Sequence, residues 1–422
     1  MLEIKKIRNN KVEIILSLSK RNVNNIKPII DNLIESDDKR KKIKSRYDDL
    51  NSQYNLSSKE IGINIKQGNT AKIESLKLNN SKIKEEIKKV NKDLKSIEKK
   101  IFDVLITIPN IPNENVPEGN KEENNEIVFQ SKSSKTEIPL LPHWDLVKKY
   151  KIIDFELGNK ITGAGFPVYI NKGAKLQRAL INFFLDEAVK KGYLEIQPPI
   201  LINENSGFGT GQIPDKEGQM YKVENENLFL IPTAEVPITN IYQNTILDIK
   251  DTPIKNVAYT PCFRKEAGSW GSHVRGLNRL HQFDKVEIVQ IVSPEKSYTV
   301  LNDMCNYVES LLENLKLPYR KIKLCSGDLG FTSAMTYDFE VFSPGQKKWL
   351  ECSSVSNFET YQSNRANIKI KLENKSKVLA HTLNGSALAL PRILASIIEN
   401  NQSKNKIKVP KVLIPYTGFD EI

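Results

Sequence analysis

The sequence predicts an α+β protein: an N-terminal antiparallel α-helical coiled-coil arm, then a C-terminal domain with a mostly antiparallel β-sheet flanked by helices. Two long stretches carry apolar residues at heptad spacing, and two strand-like runs between residues 262 and 288 are joined by a glycine-containing loop. Amphipathic helical segments surround these and further strand-like runs. We expect a first domain at residues 1–112, with the coiled coil at about 27–105, a linker at 113–138 and a second domain at 139–422.

Length and composition limit the class of protein. The chain has 422 residues, of which 39% are hydrophobic, so it can bury a full globular core. Its apolar runs are shorter than the roughly 20 residues that a bilayer span needs, and its first residues are too charged for a secretion signal. The four cysteines form no CxxC pair, so neither a zinc site nor a disulfide framework is indicated. We expect a cytoplasmic protein with reduced, structural cysteines.

Two heptad runs predict the arm. In the first run Ile43, Tyr47, Leu50, Tyr54 and Ile61 share a face, with Ser57 in the skipped position. The second run extends from Ile73 to Val104, with Asn80 in its one polar position. The turn sequence Gln67-Gly68-Asn69-Thr70 would let the second helix fold back along the first.

The net charge of +12 is concentrated on this arm. Residues 39–66 contain eight Lys or Arg and three Asp or Glu, and residues 71–100 contain ten and five. Such a surface suits RNA phosphates, whereas a dimerisation or spacer rod with a solvated exterior is the alternative. We expect residues 1–26 to add a short strand and a helix at the base, and Pro109-Asn110-Ile111-Pro112 to end the second helix.

The segment from Cys262 to Ile288 contains the strongest candidate site. Alternation along a strand would place Arg264 and Glu266 on one face, and Arg279, Phe283 and Glu287 on one face of the next strand. Arginines bind phosphate oxygens bidentately, an aromatic face stacks on a flat base, and a carboxylate binds a cation such as a substrate ammonium. A triphosphate lying across a sheet fits this pattern. An antiparallel hairpin with surface ion pairs is the alternative interpretation.

Four further segments carry polar residues in strand or helix patterns. Leu228–Pro237 is predicted as a strand with Thr233 and Glu235 on one face, and the glycine-rich residues 207–212 as an active-site loop. Tyr337–Phe342 is predicted as a strand with Asp338 and Glu340 on one face. Glu351 and Ser354 lie three apart on another strand, so a shared cation would require a bulge there. Arg392 begins an apolar helix, a costly position unless it meets an anion. His143 and His281 are predicted to be structural.

Several segments resemble the class II aminoacyl-tRNA synthetases, in the form of the seryl-tRNA synthetase family. Phe-Arg-x-Glu, a loop, then Arg-x-His-Gln-Phe-x-Lys-x-Glu resembles motif 2 of the class. The long helix and Pro-ending strand at 176–200 resemble motif 1, and His381–Arg392 resembles motif 3. The opening residues and Thr-Ile-Pro-Asn-Ile-Pro at 107–112 also resemble this family. Ala387, Pro391 and the 267–276 loop depart from its usual pattern.

The resemblance implies a class II synthetase fold and a serine–tRNA ligase activity that uses ATP and Mg²⁺, with no zinc or organic cofactor. It implies a homodimer that binds L-serine, ATP and tRNA(Ser), with tRNA(Sec) as a further candidate, and neither DNA nor a membrane. Arg264 and Arg392 would be catalytic, holding the α-phosphate and an outer phosphate. ATP would contact Arg264, Lys265, Glu266, Arg279, Phe283, Glu351, Cys352, Ser353, Ser354 and Arg392; serine would contact Thr233, Ala234, Glu235, Arg264, Glu287, Asn384 and Ser386; Glu351 and Ser354 would ligate the metal.

Two enzyme alternatives and one non-enzymatic alternative remain at this point. The same core could load an amino acid onto a carrier protein, or could belong to an inactive paralogue. An RNA-binding coiled-coil scaffold is the non-enzymatic alternative. The scaffold would not need the Thr-Ala-Glu, Arg-x-Glu and Asn-Gly-Ser segments together.

Overall fold

The structure is a computed structural model that describes residues 1–132, 140–215, 217–266 and 275–422. The chain divides into two compact units. One comprises Leu2–Ser19 and Val23–Pro109, and the other comprises Met1, Lys20–Asn22 and Asn110–Ile422. The predicted fold class is confirmed, with a paired-helix unit and a unit built on a mostly antiparallel sheet.

The first unit consists of helices, which are α1 (Ile4–Asn9), α2 (Lys11–Ser19), α3 (Ile26–Lys66) and α4 (Thr70–Leu105). With 41 residues in α3 and 36 in α4, each long helix extends for roughly 50–60 Å at about 1.5 Å per residue. Their seam buries Leu50, Ile83 and Val90, and the predicted polar positions Ser57 and Asn80 are buried as well. Asn80 Nδ2 donates to Ser58 Oγ at 3.2 Å.

The predicted short strand within residues 1–26 is wrong, because this stretch forms α1 and α2. The buried residues Ile7, Ile14 and Leu18 are seven and four apart, the spacing of one helical face. The local alternation of apolar and charged residues therefore did not correspond to a strand.

The second unit contains β1 (Glu126–Gln130), β2 (Ile153–Asp154), β3 (Val168–Tyr169), β4 (Leu194–Glu195), β5 (Leu201–Asn203), β6 (Leu228–Leu230), β7 (Ile246–Asp248), β8 (Ile254–Phe263), β9 (Gln282–Val292), β10 (Tyr319–Lys323), β11 (Met335–Ser343), β12 (Lys348–Asn357), β13 (Lys369–Lys371), β14 (Lys377–Leu379) and β15 (His381–Ala389). Within the described residues, eight strands form the main sheet in the order β1-β10-β11-β12-β15-β9-β8-β4, and its pairings are antiparallel except β4 with β8. Smaller sheets join β14-β13-β7, β2-β3 and β5-β6.

The helices of this unit are α5 (His143–Lys149), α6 (Phe155–Ile161), α7 (Lys172–Lys190), α8 (Glu204–Thr210), α9 (Glu235–Asn240), α10 (Ser297–Asn314), α11 (Tyr361–Ala366), α12 (Leu390–Asn400) and α13 (Ile414–Thr417). Apolar residues of α7, α10 and α12 pack with one face of the main sheet, where β9 contributes Val286 and Ile288. The residues that alternate with these, such as Glu287, therefore point to the opposite face. That face carries the candidate site.

Two expectations for this unit differ from the structure. The stretch predicted as a linker also contains β1, which pairs with β10 at one edge of the sheet. Leu228–Pro237 is not one strand, because β6 stops at Leu230 and α9 begins at Glu235; Pro232 has no N–H to donate to a ladder. The predicted glycine-rich loop is largely helical, since α8 extends to Thr210 and Gly211 caps it with φ +91.

None of the helices in the described ranges is both long and apolar enough to cross a membrane. The four cysteines are free and buried.

Candidate active site

The strands β8 and β9 form the hairpin that positions the first arginine. Their register pairs Cys262 with Phe283, and Arg264 N donates to His281 O at 2.9 Å just beyond the strand end. The guanidinium carbon of Arg264 lies 5.3 Å from the centroid of the Phe283 ring. An arginine and an aromatic face are thus adjacent, as a nucleotide site of this kind requires.

The predicted strand alternation holds for Phe283 and Glu287 but is wrong for Arg264, Glu266 and Arg279. β8 ends at Phe263 and β9 begins at Gln282, so these three residues lie outside the strands. Glu266 and Arg279 are nevertheless brought together, because their side chains form an ion pair. Lys265 is exposed at the same strand end, and residues 267–274 of the predicted loop lie outside the described residues.

His281 also belongs to this hairpin. Its Nδ1 lies 3.0 Å from Arg264 O, and its ring stacks on Phe166 with centroids 5.4 Å apart. These contacts support the backbone that carries Arg264, in line with the structural role predicted for His281.

The third arginine, Arg392, lies in the first turn of α12, where Pro391 is tolerated because first-turn N–H groups have no helical partner. Its Nε donates to Asn278 O at 3.3 Å, and its Nη1 lies 3.6 Å from Glu351 Oε2. Asn278 directly precedes Arg279, so α12, β12 and the segment before β9 meet at these residues. Arg264, Arg279 and Arg392 therefore belong to connected elements around one region.

The strands β11 and β12 contain the bulge that a shared cation site would require. Phe339 pairs with Ser353 and Glu340 with Glu351, so Cys352 is the additional residue. The Cys352 and Ser353 side chains are buried and hydrogen-bond to Phe339 O at 3.3 Å and Ser386 O at 2.6 Å. Nucleotide contacts at these two positions would therefore be made through the main chain.

A divalent cation fits the groups beside this bulge. Asp338 pairs in register with Ser354, and its buried Oδ1 atom has no hydrogen-bond partner. Burial and then the nearby Glu351 charge raise the pKa of Asp338 well above its ordinary value. A bound cation would favour the ionised form of Asp338 and so oppose the rise in its pKa. Within the described ranges, no three His, Cys, Asp or Glu side chains are grouped as a metal cage. Mg²⁺ is an ion held by few carboxylates and by substrate phosphates.

A second cluster lies on the same sheet face around Glu287. This buried carboxylate pairs with Lys285 Nζ at 2.5 Å and accepts from Ser386 Oγ at 3.4 Å. Register places Ser386 opposite Glu287 and Asn384 opposite Val289. A small cationic group entering here would meet a negative charge that is already fixed by two partners.

Glu235, at the start of α9, belongs to the same cluster. Its Oε1 accepts from Gln362 Nε2 at 2.5 Å, and its backbone N–H donates to Thr233 Oγ1 at 3.3 Å. Burial first, and then the charge of Glu287, raise the pKa of Glu235 to about 7. Ala234 packs in a small apolar cluster beneath it.

Two residues of this cluster were missed from the sequence. Lys285 lies two residues before Glu287, so strand alternation could have placed both on one face. Gln362 had no such signal, because it contacts Glu235 from 127 residues away along the chain and also accepts from Thr382 Oγ1 at 2.7 Å.

Comparisons with known proteins agree with this geometry. Residues 1–112 match the model of the seryl-tRNA synthetase N-terminal domain, and residues 221–401 match that of the tRNA synthetase class II core domain (G, H, P, S and T). A curated serine–tRNA ligase of Salinibacter ruber is 43% identical over 100% of this chain and 99% of its own length.

Solved structures give the same result. The seryl-tRNA synthetase of Pyrococcus horikoshii complexed with ATP is 33% identical with a TM-score of 0.92, covering 100% of this chain and 99% of its own. The cytoplasmic serine–tRNA ligase of Naegleria fowleri in complex with AMP is 29% identical with a TM-score of 0.87, covering 100% and 98%. With residues 1–112 and 221–401 matched by the two family models and the sequence similarity extending from end to end, this protein belongs to the seryl-tRNA synthetase family.

Proposed function

We propose that this chain is an ATP-dependent serine–tRNA ligase. A serine carboxylate oxygen attacks the α-phosphate of ATP, pyrophosphate leaves, and seryl-adenylate forms. A hydroxyl at the 3′ end of tRNA(Ser) then attacks the seryl carbonyl, and AMP leaves. The observation that carries the proposal is the pairing of two sites on one sheet face: Arg264 against Phe283, with Arg392 beside Glu351, and a buried carboxylate cluster at Glu287.

Residues of the β8–β9 hairpin, together with Arg392, hold the nucleotide. Phe283 and Glu266 bind the adenine, Arg264 holds the α-phosphate, and Arg279 and Arg392 hold the outer phosphates. Catalysis of an in-line phosphoryl displacement depends mainly on positioning and charge neutralisation, so a protein nucleophile is not required. Glu266, assigned to the adenine, and Arg279, assigned to the outer phosphates, form an ion pair with each other. The adenine and phosphate parts of the proposed site are therefore in direct contact.

Glu351 and Ser354 would hold Mg²⁺. Asp338, which pairs in register with Ser354 on the neighbouring strand, would lie beside these ligands. When bound, this ion would neutralise phosphate charge. Arg392 contributes to the same region, since its Nη1 lies 3.6 Å from Glu351 Oε2.

The cluster at Glu287 receives serine. Glu287 takes the ammonium, while Thr233, Glu235, Asn384 and Ser386 line the pocket. A pocket that hydrogen-bonds a hydroxyl discriminates against an analogue without one by about 10⁴-fold or more, because its buried polar groups are left unpaired. Alanine is therefore rejected by lost hydrogen bonds, and threonine by size.

The basic helices α3 and α4 supply the tRNA contacts. We assign residues 1–112 to tRNA binding, 113–138 to the connection and 139–422 to catalysis. We further infer a homodimer that works in the cytoplasm, where tRNA is charged, with tRNA(Sec) as a second tRNA substrate. The positive charge on residues 39–66 and 71–100 supports RNA phosphates as the ligand of the arm.

The alternatives receive less support from these residues. A carrier-protein ligase or an inactive paralogue would not need the basic helical hairpin and all three arginines, and both features are present. An RNA-binding scaffold would not need a buried carboxylate cluster beside Arg264.

One experiment tests the proposal: charging of total tRNA with each of the amino acids separately. We expect ATP-dependent acylation with serine and with no other amino acid. Acylation of a protein instead of tRNA, or ATP binding without serine-dependent pyrophosphate exchange, would contradict it.

A further inference from the structure

A buried histidine and a buried glutamate connect two parts of the nucleotide site. His143 begins α5, and its Nε2 accepts from Leu277 N at 2.8 Å. Because a backbone N–H can only donate, Nε2 carries a lone pair, and the proton lies on Nδ1. Nδ1 then donates to Glu399 Oε1 at 2.8 Å, and the backbone N–H of His143 donates to the same oxygen at 2.8 Å.

The other oxygen of Glu399 is also occupied. Ser343 Oγ donates to Oε2, and Gly345 N donates to it at 3.1 Å. Ser343 is the last residue of β11, and Gly345 lies in the connection between β11 and β12. Although burial pushes the pKa of Glu399 up, the hydrogen bonds from His143 and Ser343 outweigh it and lower that pKa below its ordinary value. A fully partnered charge thus joins α5, α12 and the β11–β12 connection.

The backbone that His143 holds leads directly to the arginines. Leu277 is two residues before Arg279, and the carbonyl of the intervening Asn278 accepts from Arg392 Nε at 3.3 Å. Gly276 has φ +70 and approaches His143 so closely that an added Cβ would lie 2.3 Å from Nε2. The segment therefore fits against this one imidazole.

The helix α12 connects the same two points from the other side. Arg392 and Glu399 are seven residues apart, two helical turns, so they lie on nearly the same face. Gln346, in the β11–β12 connection, adds a further contact, since it accepts from Asn278 Nδ2 at 2.8 Å.

We propose that His143 and Glu399 are positioning residues, which fix the main chain at Leu277–Asn278 and so set the placement of Arg392 and Arg279 for the outer phosphates of ATP. The proposal rests on the proposed function only in naming ATP as the nucleotide. Neither side chain touches substrate. Their effect reaches the nucleotide through Leu277 N and Asn278 O.

Two amide variants separate the two hydrogen bonds of the imidazole. His143→Gln places a polar atom near the Nε2 position and keeps an acceptor for Leu277 N. His143→Asn places its polar atoms near Nδ1, keeps a donor for Glu399 and loses the acceptor for Leu277 N. Both variants replace the buried ring with an amide, and asparagine is one methylene shorter than glutamine, so the thermal midpoint of each is measured beside its ATP affinity.

The measurements are the ATP dissociation constant by titration calorimetry, the serine KM in pyrophosphate exchange and the thermal midpoint. We expect His143→Asn to weaken ATP binding at least about 10-fold, because the loss of one well-placed hydrogen bond between an arginine and a phosphate lowers affinity by about 10-fold or more. His143→Gln loses the donor to Glu399 but keeps the acceptor for Leu277 N, so it should weaken ATP binding by a smaller factor than His143→Asn, and the serine KM should change little in either. If the thermal midpoints of the variants are similar, a general loss of stability does not explain weaker ATP binding together with an unchanged serine KM.

A third variant, Gln346→Ala, keeps the test valid if His143→Asn does not fold. It removes the side-chain contacts with Asn278, and with them the donation from Gln346 Nε2 to Ser343 Oγ at 2.9 Å and to Glu399 Oε1 at 3.5 Å. Both ring hydrogen bonds of His143 remain, so it should weaken ATP binding in the same direction by a smaller factor. Unchanged ATP affinity in a folded His143→Asn would overturn the proposal, and if His143→Asn does not fold, unchanged ATP affinity in Gln346→Ala would overturn it. So would equal losses for ATP and serine. A wild-type enzyme that binds ATP but shows no serine-dependent exchange would instead contradict the proposed function. In that case the ATP affinities of the variants would still test the positioning role of His143 and Glu399.

Discussion

Glu235→Gln tests the environment of the carboxylate at the start of α9. Glu235 is buried, and its pKa is raised from an ordinary 4.5 to about 7 by burial first and by the charge of Glu287 second. Glutamine has the same shape, and its carbonyl oxygen can still accept from Gln362 Nε2. The substitution therefore removes the ionisation and retains the hydrogen bond.

The expected magnitude follows from linkage between protonation and folding. Between pH 4.5 and about 7 the unfolded chain has lost the Glu235 proton and the folded chain has kept it, so the free energy of unfolding falls as pH rises. The interval of about 2.5 pH units, each worth about 1.4 kcal/mol, gives roughly 3 kcal/mol. This stability is fully present below pH 4.5 and is lost as pH passes through about 7. The Gln variant does not lose it.

The assay is urea unfolding of both proteins at half-unit steps from pH 4.5 to 8.5. All other titrations are shared, so they cancel in the difference between variant and wild type. We expect that difference to move in favour of Glu235→Gln by roughly 3 kcal/mol and to level off above about pH 7. Glu224→Gln, at an exposed position nearby, is the matched control and should stay within about 0.5 kcal/mol. A pH-independent difference for Glu235→Gln would refute this reasoning.

Three further predictions concern the proposed reaction. Arg264→Ala or Arg392→Ala should lower serine-dependent pyrophosphate exchange at least about 100-fold with the fold retained, as for loss of one preorganised donor; near-normal exchange would remove that residue from the site. Asp338→Asn should raise the Mg²⁺ concentration for half-maximal exchange, and the Mn²⁺ dissociation constant in the ATP complex, by about 10- to 100-fold; unchanged Mn²⁺ affinity would separate Asp338 from the cation site. Deletion of residues 30–104 should retain exchange and lose tRNA charging, whereas equal charging would make the arm a spacer.

The long helices could be predicted because their pattern repeats many times. The seam from Ile43 to Val104 has enough repeats to tolerate polar residues at Ser57 and Asn80, and both are buried as predicted. The stretch before Ile26 was misassigned because helices as short as α1 offer only two turns of pattern. There, alternation over a few residues cannot be told from a helical face.

The candidate site could be predicted where its chemistry lies close together in sequence. Arg264, Phe283 and Glu287 occur within one hairpin, and the bulge was required by the spacing of Glu351 and Ser354. Contacts such as His143 with Glu399, 256 residues apart, leave no local pattern. They depend on how α5 and α12 pack, which side-chain periodicity along one segment does not encode.

The additional residue at Cys352 divides β12 into two halves of opposite phase. Before it, the even-numbered Leu350 packs against the apolar interior, as Cys352 itself does, and after it the odd-numbered Val355 does so. Substituting each position of β12 with aspartate should therefore be most destabilising at even-numbered positions up to Cys352 and at odd-numbered positions after it. A regular ladder of the same length would turn Glu351 and Ser354 to opposite sides and separate the two groups offered to the cation. With Cys352 removed, a regular ladder would leave them two residues apart and still on one side.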